Sequence, residues 1–311
     1  MSTPDVSILI VSWNTRDLTL RCLDTLPGSV DDDDDTTYET IVVDNASRDG
    51  TGGALAERHD VTLVRNDLNR GFAEGVNQAY AASRAPFVLL LNSDVELAPG
   101  SLSVLLRFLR ERPEAAGVGP LYLNPDGSPQ AFHYRFPTLP AMLASASGPL
   151  RLLPPFARSV RRYGMLDDDF SQARTVPQPS ASCLLLRRHY LPPKHLLDER
   201  YPVYFNDVAL ARWLAARGRE LWMTPDAAVK HVHGASTRML GGTLARQHIG
   251  AFVRYLRAYE PRYKLACFRA VVLFQKLSVY ALHRADALPP RELLAALRGD
   301  PGQLPQAPLT K

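Results

Sequence analysis

The chain has 311 residues, enough for one large domain or two modest ones built round a substantial core. Apolar residues make up 46% and charged residues 22%, which excludes a disordered chain, and the 19 Gly and 25 Pro follow no period, which excludes collagen-like and solenoid repeats. The net charge of +4 hides an asymmetry, with residues 1–100 summing to −10 and residues 101–311 to +14. Part of the first figure is the run Asp31–Asp35, which reads as a solvated loop because adjacent carboxylates repel and resist burial.

In chain order, VSILIVS (Val6–Ser12) is a continuous β-branched run, as expected of a strand buried on both faces. Thr15 then caps a helix whose apolar stripe is Leu18, Leu20, Cys22, Leu23 and Leu26, stopped by Pro27 and Gly28. A second strand (Glu39–Asn45), a helix from about Gly53 to Arg58, a third strand (Val61–Asn66), a helix near Phe72–Ser83 and a fourth strand (Pro86–Asp94) follow. Strand–helix alternation with short links predicts a parallel sheet covered by helices. Beyond it come a helix (Ser101–Arg110), a Gly/Pro-rich strand, a weakly periodic excursion over 133–180, a strand at Ser180–Arg188, a helix from Asn206 to Gly218, and a strand pair in ELWMTPDAAVKHVHG.

The N-terminal apolar run Val6–Val11 is too short for the core of a signal peptide, and no segment reaches the roughly 20 apolar residues of a membrane span. Cys22, Cys183 and Cys267 lie far apart without a CxxC, which favours a reducing compartment over a disulfide framework. The sequence therefore places the protein in the cytoplasm.

Ligands of such sheets bind beyond the carboxyl ends of the strands, here Ser12–Asn14, Asp44–Asn45, Arg65–Asn66 and Asn92–Asp94. Two of these ends carry Asp, yet neither GxGxxG after the first strand nor GxxxxGK[ST] occurs, so dinucleotide and P-loop readings lose their support. Asp94, after Asn92 and Ser93, suits Mg²⁺ or Mn²⁺ bridging a diphosphate, or caps a turn; Asp44 suits a base N–H, or an Asx-turn.

Taken together, VSILIVSWN, TIVVDNASRDGT, RNDLNRGFAEGVNQA, FVLLLNSDVEL, YPVYFNDVALARWLAARG and VKHVHGAST resemble the inverting family 2 glycosyltransferases of GT-A fold, especially their rhamnosyltransferase-like branch, over about Val6 to Thr237. The resemblance implies a Rossmann-like, mainly parallel sheet in a domain over 1–240, followed by a helical extension over 241–311. It implies that Asp44 recognises the nucleotide base, with Ser12, Trp13, Asn14 and Asn45 lining its pocket. Asn69, Gly71, Phe72, Asn77, Asn92 and Ser93 then lie along the nucleotide-sugar, Gly71 and Gly75 admitting close backbone approach. Asp94 and His231 would hold Mg²⁺ or Mn²⁺, with His233 the lesser candidate, and Asp207 would be the general base. The donor would be a dTDP- or UDP-sugar and the acceptor a glycan or lipid-linked sugar in bacterial surface polysaccharide synthesis. Two departures stand out: Asn206 replaces the usual Glu before the base, and Ala209 the usual second acid. They leave open a nucleotide-sugar-binding or scaffolding protein without catalysis, alongside a transferase for UDP-galactofuranose or another UDP-hexose.

Residues 244–284 read as helical, with eight basic residues and one acidic residue interleaved with apolar ones. They fit either a peripheral contact with the inner face of an anionic membrane, or packing on the catalytic domain or on a second subunit of a homo-oligomer. Nucleic acid is not expected, because no recognition motif accompanies the charge.

Overall fold

The computed structural model describes residues 3–232, 243–282 and 288–306. His233, the predicted boundary at 240 and Arg284 lie outside the described residues. The first half runs β1 (Val6–Ser12), α1 (Arg16–Thr25), β2 (Tyr38–Asp44), α2 (Thr51–Ala56), β3 (Thr62–Arg65), α3 (Phe72–Ala82), β4 (Phe87–Asn92), β5 (Val95–Leu97), α4 (Ser101–Glu111) and β6 (Ala115–Leu123). The second half runs β7 (His133–Tyr134), α5 (Leu139–Ala146), α6 (Pro154–Tyr163), β8 (Arg174–Thr175), β9 (Gln178–Pro179), β10 (Cys183–Arg187), α7 (Asn206–Ala215) and β11 (Glu220–His231). It closes with α8 (Thr243–Tyr259), α9 (Arg262–Leu282) and α10 (Pro290–Arg298).

The main sheet has the order β3-β2-β1-β4-β10-β6-β11-β5, with β8 beside β11. β1 is parallel to β2 and β4, and β2 to β3, whereas β10 runs antiparallel between β4 and β6. Alternate residues of a strand face opposite sides. Accordingly Val6, Ile8 and Ile10 pack with α1 and α4, through residues such as Leu23 and Leu105, while Leu9 packs with Val76 of α3 and Leu214 of α7. A third core joins α5 and α7 to the C-terminal helices: Met142, Phe205 and Val208 pack with Phe252, Tyr255 and Phe268. The C-terminal helices thus share an interior with the residues around Asp207. Among the described residues no helix is long and apolar enough to cross a membrane.

Several expectations need correction. Thr15 stands at the start of α1 but makes no side-chain cap; its hydroxyl joins Ser12, Thr19 and Ser93 in a buried cluster, with Ser93 Oγ at 3.0 Å. The predicted helix at Gly53–Arg58 begins earlier, at Thr51, after Gly50 turns the chain in the left-handed region (φ 87°). The predicted strand pair after Gly218 is one strand, β11, whose register against β6 shifts between Met223 and Ala228. Pro225 and Asp226 form a bulge there, not a turn. The excursion over 133–180 contains two helices, α5 and α6, each with proline in its first turn.

Candidate active site

Strand ends β1, β2 and β4, the loop before α3, β9, and the starts of α7 and α8 surround a cavity of about 740 Å³. Of the predicted residues, Trp13, Asn45, Asn69, Gly71, Phe72, Asn92, Ser93, Asp94, Asp207 and His231 line it. Ser12, Asn14, Asp44 and Asn77 do not. Ser12 is fully buried with its Oγ 2.7 Å from Thr19 Oγ1. Asn14 adopts φ 53° and ties two loops together, its Oδ1 accepting from Arg48 N–H at 2.7 Å. Asn77 clamps the backbone of Leu197 with two hydrogen bonds of 2.9 Å. Gly75 faces the sheet: a Cβ there would stand 3.0 Å from Val11.

Asp44 lies just beyond the lining. Its Oδ1 accepts from Ser47 N–H at 3.0 Å, an Asx-type turn, while a Cβ on Gly52 would come 2.4 Å from Oδ2 and 3.1 Å from the Arg65 guanidinium. Glycine lets that carboxylate and that cation pack directly against the start of α2. Asn45 acts as a brace inside the cavity. Its amide donates to Asn69 Oδ1 (3.0 Å) and the Gly71 carbonyl (3.1 Å), while its Oδ1 accepts from Arg70 N–H (3.0 Å). Gly71 has φ 89°, and a Cβ there would meet the Pro202 carbonyl and Leu304, each at 2.9 Å. The C-terminal segment reaches the same loop: Asn69 N–H donates to Gln306 Oε1 at 2.7 Å and Asn69 Nδ2 to the Pro305 carbonyl at 3.1 Å.

Asp94 and His231 meet across the cavity floor, Oδ1 to Nε2 at 3.5 Å, both nearly inaccessible. Gln130 sets the imidazole. Its Nε2 donates to Asn124 Oδ1 (2.8 Å), so its Oε1, 2.9 Å from His231 Nδ1, accepts the Nδ1 proton. A neutral ring would then turn the Nε2 lone pair toward the Asp94 carboxylate, a pair of donors that suits a shared cation. Asn92 Oδ1 is buried nearby with no donor among the described residues, its amide nitrogen being taken by Ser182 Oγ at 3.1 Å. Among the described residues no three His, Cys, Asp or Glu side chains are placed to hold a metal ion together. A carboxylate, an imidazole and a spare amide oxygen are donors that suit a hard divalent ion keeping water and phosphate oxygens in its shell.

Asp207 is the second residue of α7, which opens directly after Phe205, a residue held at φ 70°. That conformation is unusual for a bulky residue and persists because aromatic packing fixes it: Phe252 and Tyr255 meet the Phe205 ring edge-on, with centroids at 5.1 and 5.4 Å. Asp207 keeps partial access to the cavity but is packed deeply enough that loss of water raises its pKa above the usual carboxylate range. The Val208 N–H on Oδ1 (2.8 Å) and the Gln178 amide on Oδ2 (3.0 Å) oppose that rise. The two departures from the expected acids have local explanations. The Asn206 amide donates to the carbonyls of Tyr201 (3.3 Å) and Val203 (2.9 Å), and Ala209 is buried in the third core. Gln130, Gln178 and Phe252 escaped the sequence reading, since neutral amides and a lone aromatic carry no spacing motif.

Comparison with known proteins agrees with this geometry. The profile described as Glycosyl transferase family 2 matches residues 7–191. The N-acetylglucosaminyl-diphospho-decaprenol L-rhamnosyltransferase of Mycobacterium tuberculosis is 31% identical over 227 residues, covering 68% of this chain and 73% of its own. The mannosyltransferase PcManGT of Pyrobaculum calidifontis, solved with GDP-Man and Mn²⁺, superposes with a TM-score of 0.54 at 20% identity, covering 95% of this chain and 79% of its own. GalNAc-T7, solved with UDP, GalNAc and Mn²⁺, gives a TM-score of 0.58 at 15% identity over 82% of this chain and 48% of its own. A mixed sheet with its ligand-side strand ends converging on one cavity, a matching profile over more than half the chain and a rhamnosyltransferase relative together make this protein a member of glycosyltransferase family 2 with the GT-A fold.

Proposed function

We propose that the protein is an inverting transferase that moves a rhamnosyl or similar hexosyl unit from a dTDP- or UDP-sugar to a glycan or lipid-linked acceptor, assisted by Mg²⁺ or Mn²⁺. The observation that carries this reading is the meeting of the Asp94–His231 pair and Asp207 in one cavity. The relative's printed activity supports the rhamnosyl unit and the lipid-linked acceptor.

In this reading Asp44 and Arg65, which pack together against Gly52, receive the base, and Asn69 to Phe72 pass along the nucleotide-sugar. Asp94 and His231 hold the ion. A bound divalent cation supplies Lewis-acid neutralisation of the charge that develops on the leaving diphosphate. Asp207 accepts the proton of the acceptor hydroxyl as that oxygen attacks the anomeric carbon from the face opposite the diphosphate, so one displacement inverts the configuration. Burial makes Asp207 a stronger base than a free carboxylate, and Gln178 and the Val208 N–H limit that rise. Residues 244–284 supply a peripheral membrane contact: Tyr263, Phe274 and Leu277 stand exposed on α9, and no acidic residue lies between Arg262 and Ser278.

The test is thermal stabilisation by dTDP, UDP and GDP, with and without Mn²⁺ or Mg²⁺. A ligand at 100 times its Kd adds roughly 2.7 kcal/mol. Metal-dependent stabilisation by dTDP or UDP supports the donor and ion assignments, and absence of any response overturns them.

A further inference from the structure

Arg151 is the one Lys or Arg among the described residues that line the cavity. It sits in the turn Gly148–Leu152 between α5 and α6, on the side of the cavity formed by Ala141, Met142 and Tyr163. Its Nε donates to the Ala144 carbonyl at 3.1 Å, which anchors the stem. Among the described residues its Nη groups have neither a carboxylate nor any other hydrogen-bond partner. The two residues that follow are apolar and turned outward, Leu152 being 84% and Leu153 48% exposed. Pro149, Pro154 and Pro155 stiffen the chain on either side, so the leucines stay displayed without a covering element. The next helix, α6, buries none of its residues, and Arg158 and Arg162 on it are exposed without an ion pair among the described residues. Thus an exposed guanidinium with no Nη partner among the described residues stands at the edge of the cavity, beside exposed leucines and arginines.

We propose that this turn is the entry for a lipid-borne acceptor, Leu152 and Leu153 seating in a bilayer with anionic headgroups while Arg151 pairs with the diphosphate joining the acceptor sugar to its lipid. The inference rests on the lipid-linked acceptor reading above. Guanidinium suits a diphosphate because its fork of donors matches phosphate oxygens. The apolar wall beyond Arg151 gives a sugar ring a dry path toward Asp207.

The experiment compares wild type, R151Q and R151K in calorimetric binding of N-acetylglucosaminyl-diphospho-farnesol and of octyl N-acetylglucosaminide. Both titrations are run with the nucleoside diphosphate found by the stabilisation test present. Wild type should prefer the diphosphate ligand, R151Q should lose roughly 10- to 100-fold of that preference, and R151K should regain part of it. Equal preference in wild type and R151Q overturns the assignment, as does loss of nucleotide stabilisation in R151Q, which would put the guanidinium on the donor side. Failure of wild type to bind the diphosphate ligand at all sinks the lipid-linked acceptor reading itself, a different result. For the seat, flotation with phosphatidylglycerol vesicles should fall at least about tenfold in L152S/L153S with an unchanged melting temperature. Undiminished flotation removes the leucines from the proposal.

Discussion

Replacing Gln178 with Leu isolates how the protein keeps its candidate base charged. Burial raises the pKa of Asp207, and the Gln178 amide, 3.0 Å from Oδ2, is one of the groups that oppose the rise. A hydrogen bond to a charged group contributes about 1.5–3 kcal/mol, and 1.36 kcal/mol is tenfold in an equilibrium. Without it the ionised fraction at a pH on the acid limb should fall on the order of 10- to 100-fold. The assay is the pH dependence of kcat: the acid limb should move to higher pH while the plateau above it stays near the wild-type rate. Unfolding would not explain such a change. Leu also removes a buried Oε1 that has no donor among the described residues, which offsets part of the lost bond, so the variant should melt only modestly lower and stay folded at the assay temperature. A rate lowered by one constant factor at every pH would refute the reasoning and leave Gln178 only an orienting role.

Asp207→Asn should cost about 10²–10⁴ in kcat while nucleotide stabilisation persists. The same variant should be more stable than wild type at neutral pH. With its folded pKa above the unfolded one, Asp207 makes stability fall as pH rises between the two values, and Asn removes that loss, visible as a higher Tm. Gln130→Leu frees the His231 ring and should weaken Mn²⁺ binding about 10- to 100-fold, measured by metal titration of the melting temperature with nucleotide present. Phe252→Ala should destabilise by about 3–5 kcal/mol in denaturant titration, and kcat should fall in the protein that remains folded, because Phe205 loses the ring that holds its backbone. An unchanged kcat would show that α8 supports the fold without setting the base.

The nucleotide half of the molecule was legible because its signals are local. β1 to β4 are short apolar runs bounded by polar ends, and those ends carry Trp13, Asn45 and Asp94 to the cavity. Asn77 shows the limit of that logic: it lies in a matching segment, but the helical turn points it at Leu197, away from the cavity. β5 was missed because three residues carry no periodicity, and α5 because its eight residues are almost all small or apolar, with no polar face to reveal a period. α6 escaped for the opposite reason, since none of its residues is buried. Gln130 and Gln178 serve partners 101 and 29 residues away, and only the folded chain brings them together. Asp207 was legible as a residue, whereas the strained backbone of Phe205 that aims it was not.

The hydrogen bonds from Asn69 to Gln306 join positions 237 residues apart. At a translation rate of roughly 5–20 residues per second, the loop before α3 leaves the ribosome some tens of seconds before the segment that bonds to it. Strands β3-β2-β1-β4 come from the first half, β10, β11 and β8 join them from the second, and the wall beside Gly71 is finished last. During synthesis the nascent protein therefore passes through a stage with the sheet strands made and the loop before α3 still lacking its last neighbour, so the order of translation is also the order in which the pocket is assembled.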